Sequence, residues 1–207
     1  MGSIKSNLQI LPATVDDIPT LVDVWFKAFS IDPGMMQLFP DTPNMRKWMA
    51  EYHALDFATK PYQYYMKVVD PEIIDEHGSV RVLAYGKWDT AMPNIRGPRF
   101  PPWDSDTPGT EATKVFDGLN ESRDRVMGDL KHYYLDMLCT HPDFERRGAG
   151  SMLVKWGCDL ADKDGVAAYV DASKSGAPLY EKFGFVDRSL PDQGEIASMG
   201  RFQKTSN

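Results

Sequence analysis

Leu135-Asp136-Met137-Leu138-Cys139-Thr140-His141-Pro142-Asp143-Phe144-Glu145-Arg146-Arg147-Gly148-Ala149-Gly150-Ser151 is the stretch that decides the fold. An apolar strand runs into a basic, glycine-containing turn, and the turn opens a helix. The first turn of a helix carries main-chain N–H groups without intrahelical partners, and glycine lets a ligand's oxygens come close to them. Arg146 and Arg147 add positive charge at the same place, so the arrangement suits a phosphate. A helix start that binds nothing is the plainer alternative. Two other glycine loops are excluded on chemical grounds. A Walker loop places Lys and Ser or Thr directly after its last glycine, whereas Gly150 is followed by Ser151-Met152. A dinucleotide fingerprint needs a third glycine or alanine and an acid ending the next strand, a part for which only Asp171 offers itself, and it usually opens a domain.

Strand residues point alternately to opposite faces, so Tyr134, Asp136 and Leu138 are expected on one side and Tyr133, Leu135, Met137 and Cys139 on the other. One acid interrupts an apolar strand. An ionised carboxylate there must be hydrogen-bonded, carry a raised pKa or face a polar cavity. At a reference pKa of about 3.9 an aspartate is a poor base for an ammonium group of pKa about 10. Asp136 is therefore open to four roles: a base after desolvation, a base acting through water, a binder of a substrate cation, or a structural partner of a nearby tyrosine. Cys139 as an acyl-carrying nucleophile is disfavoured, because His141 falls past the strand's end and buried cysteine is common. His53, His77 and His132 fit no metal spacing; exposed or packing roles are expected for each, and no metal site is expected.

Glu145-Arg146-Arg147-Gly148-Ala149-Gly150 resembles the acetyl-CoA signature of the GNAT acetyltransferase superfamily, Gln/Arg-x-x-Gly-x-Gly/Ala, with Glu145 departing at the first position. Pro178-Leu179-Tyr180-Glu181-Lys182-Phe183-Gly184-Phe185, roughly thirty residues later, resembles its late Leu-Tyr-x-x-x-Gly-Phe element. Leu135-x-x-Leu138-x-x-His141-x-x-Phe144 is similar to the arylalkylamine N-acetyltransferase branch, which places a catalytic histidine where Asp136 stands here, and the whole pattern resembles fungal small-molecule members. The resemblance implies an α/β (α+β) GNAT fold: one mixed, mostly antiparallel sheet of about six to seven strands with helices on both faces. It implies acetyl-CoA as co-substrate and direct transfer of acetyl to the amine of a small molecule in a ternary complex. Cofactor contacts are implied for Leu138, Cys139 and Thr140, where a splayed strand offers main-chain groups to the pantetheine arm, and for Arg146, Arg147, Gly148, Ala149, Gly150 and Ser151 at the diphosphate. Ser173 or Ser175 takes the place of the family's asparagine. Tyr180 matches the tyrosine that protonates the leaving thiolate, Asp136 lies beside the thioester, and a main-chain N–H such as that of Cys139 stabilises the oxyanion. A non-catalytic acyl-CoA sensor, an O-acetyltransferase and a protein acetyltransferase stay open as alternatives.

With 207 residues and 42% hydrophobic composition, the chain is sized for one core, read as a single domain over 1–207. A formal charge of −7 argues against nucleic acid and weakly favours cationic substrates. No run reaches the length of a membrane-spanning helix, and Met1-Gly2-Ser3-Ile4-Lys5-Ser6 lacks the apolar run of a secretory signal; its superficial myristoylation pattern is not adopted. Cys139 and Cys158 show no disulfide or zinc spacing, which fits a cytoplasmic protein, monomeric or homodimeric.

Periodicity places a strand at Leu8–Pro12 and a helix ending near Phe29, before Asp32-Pro33-Gly34. A second helix spans Asn44 to Phe57, and two antiparallel strands span Gln63–Val69 and Val80–Trp88, with a turn at Asp70-Pro71. Met35, Met36, Phe39, Trp48 and Tyr52 are candidate acceptor contacts, by resemblance. A proline-rich insertion and a helix occupy about 89–128, with Pro93, Pro98, Pro101, Pro102 and Pro108 around Trp103, reading as a lid, a substrate wall or a disordered loop. The strand Tyr133–Thr140 follows, then a helix to Lys163 with Leu153, Trp156 and Leu160 on one face. The chain closes with a strand Val166–Ala172, a short helix Ser175–Phe183 and a final antiparallel pair.

Overall fold

Seven strands, each announced by alternating or continuous apolar residues, join into one sheet in the order β1-β2-β3-β4-β5-β7-β6. The strands are β1 (Gln9–Pro12), β2 (Gln63–Ile74), β3 (Val80–Asp89), β4 (His132–Thr140), β5 (Ala167–Ser173), β6 (Val186–Asp187) and β7 (Ile196–Arg201). Only β4 and β5 run parallel; every other neighbouring pair is antiparallel. The helices are α1 (Ile18–Phe29), α2 (Pro33–Leu38), α3 (Pro43–Thr59), α4 (Gly109–Met127), α5 (Ala149–Lys163) and α6 (Ala177–Glu181). The computed structural model describes residues 7–76, 78–92 and 94–203, so the amino-terminal myristoylation pattern, His77 and Pro93 lie outside the described residues.

Both faces of the sheet are covered. On one, Leu21, Val24 and Trp25 of α1 and Met45, Met49 and Tyr52 of α3 pack on Tyr85 and Cys139. On the other, Val154, Cys158 and Ala161 of α5 pack on Trp88, Leu135 and Val170. Trp156 and Leu160, expected on the buried face of α5, are only partly buried at its flank. The mixed, mostly antiparallel sheet flanked on both faces is thus the architecture present.

Two local readings are corrected. Asp32-Pro33, read as a helix stop, also starts α2: the Asp32 carboxylate accepts the Met35 N–H at 3.0 Å, and proline is tolerated in a first turn because its missing N–H would have no partner there. Asp70-Pro71, read as a turn, lies inside β2, where register shifts at Val68/Val69 and Val69/Ile74 take Pro71 out of the regular ladder.

Gly157 marks the closest approach of α5 to the sheet. A Cβ there would fall 1.9 Å from the Trp88 ring, and Trp88 is fully buried with its indole N–H donating to the Leu153 carbonyl at 3.1 Å. Gly157→Ala gains helix propensity of about 1 kcal/mol but must displace a packed indole. We expect it to lower unfolding free energy by about 2 kcal/mol in urea titration; a stabilised variant would show that Trp88 yields freely.

Candidate active site

The parallel pairing of β4 with β5 ends at Leu135↔Val170, so Asp136 to Thr140 have no β5 partner and the sheet opens there. The opening starts at Asp136, two positions earlier than the Leu138–Thr140 expected from sequence. On the other edge β4 stays paired with β3, but with a shift: Lys87 faces Met137 and Trp88 faces Leu135, leaving Asp136 as an extra, bulged residue. The bulge changes which face each side chain takes. Leu135 packs toward α5 whereas Met137 and Cys139 pack toward α1 and α3, so the strict alternation expected along this strand fails at Asp136.

The ladder also settles which main-chain groups face the opening. His141 N–H donates to Leu83 O at 2.8 Å, which makes Thr140↔Ala84 a non-hydrogen-bonded pair. By alternation Cys139 exchanges its main-chain bonds with Tyr85, and the main-chain groups of Leu138 and Thr140 point to the open edge. The Cys139 N–H is therefore turned away from the cleft, a correction to its expected oxyanion contact. Its side chain is not a nucleophile either: burial pushes the Cys139 thiol far above its ordinary pKa, opposed only by the Tyr85 hydroxyl.

The bulge is fixed by charge. Lys87, fully buried, places Nζ 2.5 Å from Asp136 Oδ2 and 3.0 Å from Asp56 Oδ2, and it also meets the Tyr52 hydroxyl. Arg99, from the proline-rich insertion, sets Nε 2.5 Å from Asp136 Oδ1 and donates through Nη2 to the Asp136 carbonyl at 2.6 Å. Desolvation raises the pKa of Asp136, but Arg99 and Lys87 outweigh it and hold the carboxylate at about 2. Burial lowers the pKa of Lys87, and Asp136, Tyr52 and Asp56 raise it by more, so it stays an ammonium. A carboxylate clamped by two cations takes up no proton near neutral pH.

His53, read from sequence as exposed or packing, lies in the same network. Tyr65 donates its hydroxyl proton to Asp56 Oδ2 at 2.8 Å, so His53 Nδ1, 2.9 Å from the Tyr65 hydroxyl oxygen, must be the donor to that hydroxyl. Nε2 is then a bare acceptor, buried and without a hydrogen-bond partner among the described residues. Burial, reinforced by Lys87, lowers the His53 pKa to about 3, so the ring is neutral. No spacing pattern pointed to this residue; it is brought to the site by α3.

A cavity of about 190 Å³ occupies the opening. Leu135, Asp136, Met137 and Leu138 form its β4 wall, and Val170, Asp171 and Ser173 its β5 wall. Trp25, Phe29, Met35, Phe39, Tyr52 and His53 line it from the helices. Met36 and Trp48, also expected as acceptor contacts, pack in the core behind this lining. The insertion contributes Arg99 and Phe100, so it forms a wall of the cavity. That wall is anchored: Trp48 donates its indole N–H to Pro102 O at 2.9 Å, and Phe100 packs against Phe116 at 4.8 Å between centroids.

Tyr180 lines the cavity from α6, and desolvation, with Cys139 nearby, keeps its phenol protonated. Ser173 is at the rim, its hydroxyl accepting the Gly176 N–H at 3.1 Å. At the other end of the opening, Arg146 adopts φ 60° and Gly148 φ 96°, and these left-handed residues turn the chain into α5. Among the described residues no side chain caps α5, so the first N–H groups of this fifteen-residue helix can receive an anion, with exposed Arg146 and Arg147 beside them. The Gly150 Cα faces Thr140 and Leu179, where a Cβ would stand 3.6 and 3.7 Å away; a larger side chain would enter the channel between β4 and α6. These residues fit a coenzyme A diphosphate and pantetheine arm. Among the described residues no cluster of His, Cys, Asp or Glu could hold a metal ion.

Comparison with known proteins agrees with this geometry. Residues 115–187 match a family model described as an acetyltransferase (GNAT) domain. A curated acetyltransferase from the fungus Stachybotrys chartarum is 33% identical over 63 residues, a match spanning 29% of this chain and 27% of that protein. A Corynebacterium glutamicum structure described as histone acetyltransferase HPA2 and related acetyltransferase aligns over 97% of this chain and 98% of its own, with TM-score 0.61 and 21% identity. A mosquito arylalkylamine N-acetyltransferase like 5b gives TM-score 0.63 at 14% identity, covering 95% of this chain and all of the other (100%). The PaiA N-acetyltransferase of Thermoplasma acidophilum, solved with coenzyme A, gives 0.53 at 11%, covering 95% and 99%. The fold is that of GNAT proteins.

Asp136→Asn leaves Arg99 and Lys87 facing a neutral amide in a buried site, a change expected to cost about 3 kcal/mol of stability near pH 7. The sign with pH follows from the lowered pKa. The unfolded carboxylate titrates near 3.8 and the folded one at about 2, so the stabilisation is complete above 3.8 and is lost as pH falls through 2. Urea titrations from pH 7 to pH 2 should show the wild-type advantage over Asp136→Asn shrinking in acid. A gap that stays constant would mean the ion pairs contribute nothing.

Proposed function

We propose that this chain transfers the acetyl group of acetyl-CoA to the amine of a small molecule, by direct attack within a ternary complex. The carrying observation is the continuity of the split between β4 and β5 with the uncapped start of α5 and with the cavity that Tyr180 lines. The N–H groups of Gly148 to Ser151 and the guanidinium groups of Arg146 and Arg147 hold the diphosphate. The Leu138 and Thr140 main chains bond the pantetheine arm as a strand partner would, with Ser173 on the opposite rim. The Leu138 N–H, rather than that of Cys139, is the main-chain donor available to the oxyanion.

Tyr180 then gives its proton to the departing thiolate. Desolvation favours a neutral phenol before the reaction, as an acid requires. Asp136 acts by holding Arg99 and the bulge in place, so it orients the wall rather than moving a proton. The aromatic-lined cavity of about 190 Å³ supports a small acceptor over a protein segment. The two free, buried cysteines agree with a reducing, cytoplasmic setting, and among the described residues no helix is long and apolar enough to cross a membrane.

Thiol release from acetyl-CoA, measured over aryl amines, polyamines, amino acids, aminoglycosides and alcohols, tests the activity and names the acceptor; release with none of them would reject it. Tyr180→Phe is expected to reduce kcat at least 100-fold while the acetyl-CoA Kd moves less than threefold by calorimetry. Unchanged turnover would remove Tyr180 from the acid role. Gly150→Leu, which projects a side chain toward Thr140 and Leu179, is expected to weaken coenzyme A binding at least tenfold with native circular dichroism. Equal affinity would place the arm elsewhere.

A further inference from the structure

Two aspartates border the cavity where β4 and β5 part, and their surroundings differ. Asp136 is clamped by Lys87 and Arg99, each at 2.5 Å. Asp171 follows Val170, the last β5 residue paired with β4, and it forms no ion pair among the described residues. Its Oδ2 accepts the Tyr134 hydroxyl at 2.9 Å and its Oδ1 the Tyr169 hydroxyl at 2.7 Å. Two neutral donors fix the carboxylate without neutralising it, and each oxygen keeps a further lone pair. Asp171 thus presents an oriented negative charge, without a direct ion-pair partner among the described residues, at the wall of the same cavity that Tyr180 lines.

We propose that Asp171 is the catalytic residue that holds the acceptor's ammonium group and takes up its proton, a role that rests on the acetyl-transfer reading. The ammonium gives one proton to the Asp171 carboxylate, and the freed lone pair forms the N–C bond to the thioester carbonyl. The C–S bond breaks, the thiolate takes the Tyr180 proton, and the second proton lost from nitrogen returns to Tyr180. Asp171 releases its proton to solvent, so the cycle yields amide, thiol and one proton.

Burial supports this division of labour, because it raises the Asp171 pKa from the ordinary aspartate value. The Tyr169 and Tyr134 hydroxyls and the charges of Arg99 and Arg123 pull in the other direction. The other groups around it are Asp136 on β4, Ser198, its register partner on β7, and Tyr180 across the cavity from α6. A carboxylate shifted upward is a better proton acceptor than one held at about 2.

Asp171→Asn preserves shape; its amide oxygen accepts one tyrosine hydroxyl, and its NH2 group donates to the oxygen of the other once that hydroxyl turns away. It is expected to lower kcat/KM at least 100-fold and to remove the acidic limb of its pH profile, whereas Asp171→Glu restores part of the rate and keeps the limb. A merely structural Asp171 would change the melting temperature and leave the profile in place, which would overturn the proposal. Calorimetry adds a readout independent of turnover. 2-Phenylethylammonium should bind the wild type at least tenfold more tightly than 2-phenylethanol, and Asp171→Asn should lose that preference. Absence of the preference in the wild type, including no binding of either probe, overturns the proposal. Failure of every amine to release thiol while the preference survives rejects the transferase reading instead.

Discussion

A fully buried ammonium group at Lys87 is the element on which the site depends. Such a charge is tolerable only where anions and hydroxyls surround it, and here Asp56, Asp136 and Tyr52 do so from α3 and β4. The extra residue in β4 carries Asp136 to the face where Lys87 already points, and Arg99 then closes over the same carboxylate from the insertion. The strand is thereby bent away from β5 where the sheet opens. Ion pairing, strand irregularity and the opening are one arrangement, and removal of the Asp136 carboxylate takes from Lys87 one of its two anions and from Arg99 its ion-pair partner.

The cleft has two chemically distinct ends. At the α5 end the anion site is built from backbone geometry: two left-handed residues and a helix start without a capping side chain. At the acceptor end the site is built from side chains on α1, α3, the insertion and β5, and its wall is largely aromatic. The first end depends on residues a short segment can specify; the second depends on elements far apart in the chain.

The same division governs what was legible in the sequence. The positions of the strands along the chain follow from hydrophobic alternation and turn residues, and the cradle from glycines next to arginines, because both are local signals. The bulge was not legible: one residue too many in a strand looks like any strand, and alternation counted through Asp136 put Met137 on the same face as Leu135. The partners of Asp136 were not legible either, since Lys87 and Arg99 reach it across β3 and from a loop, and no spacing encodes that. His53 and Asp171 went unassigned for the same reason. An isolated histidine or aspartate acquires meaning only from what the fold places beside it, here Tyr65 for one and Tyr134 with Tyr169 for the other.

The proline-rich insertion has a further bearing on any attempt to trim the chain to a minimal domain. Trp103 donates to Thr113 at 2.9 Å, Phe100 and Trp103 pack against Phe39, Trp48 and Phe116, and Arg99 holds the bulge. Excising it would strip a layer of rings from three helices and leave a carboxylate half-neutralised beneath. The shortened protein would present a broad oily surface to water and would be prone to self-association, so this stretch acts as the keystone of the acceptor half rather than as an ornament upon it.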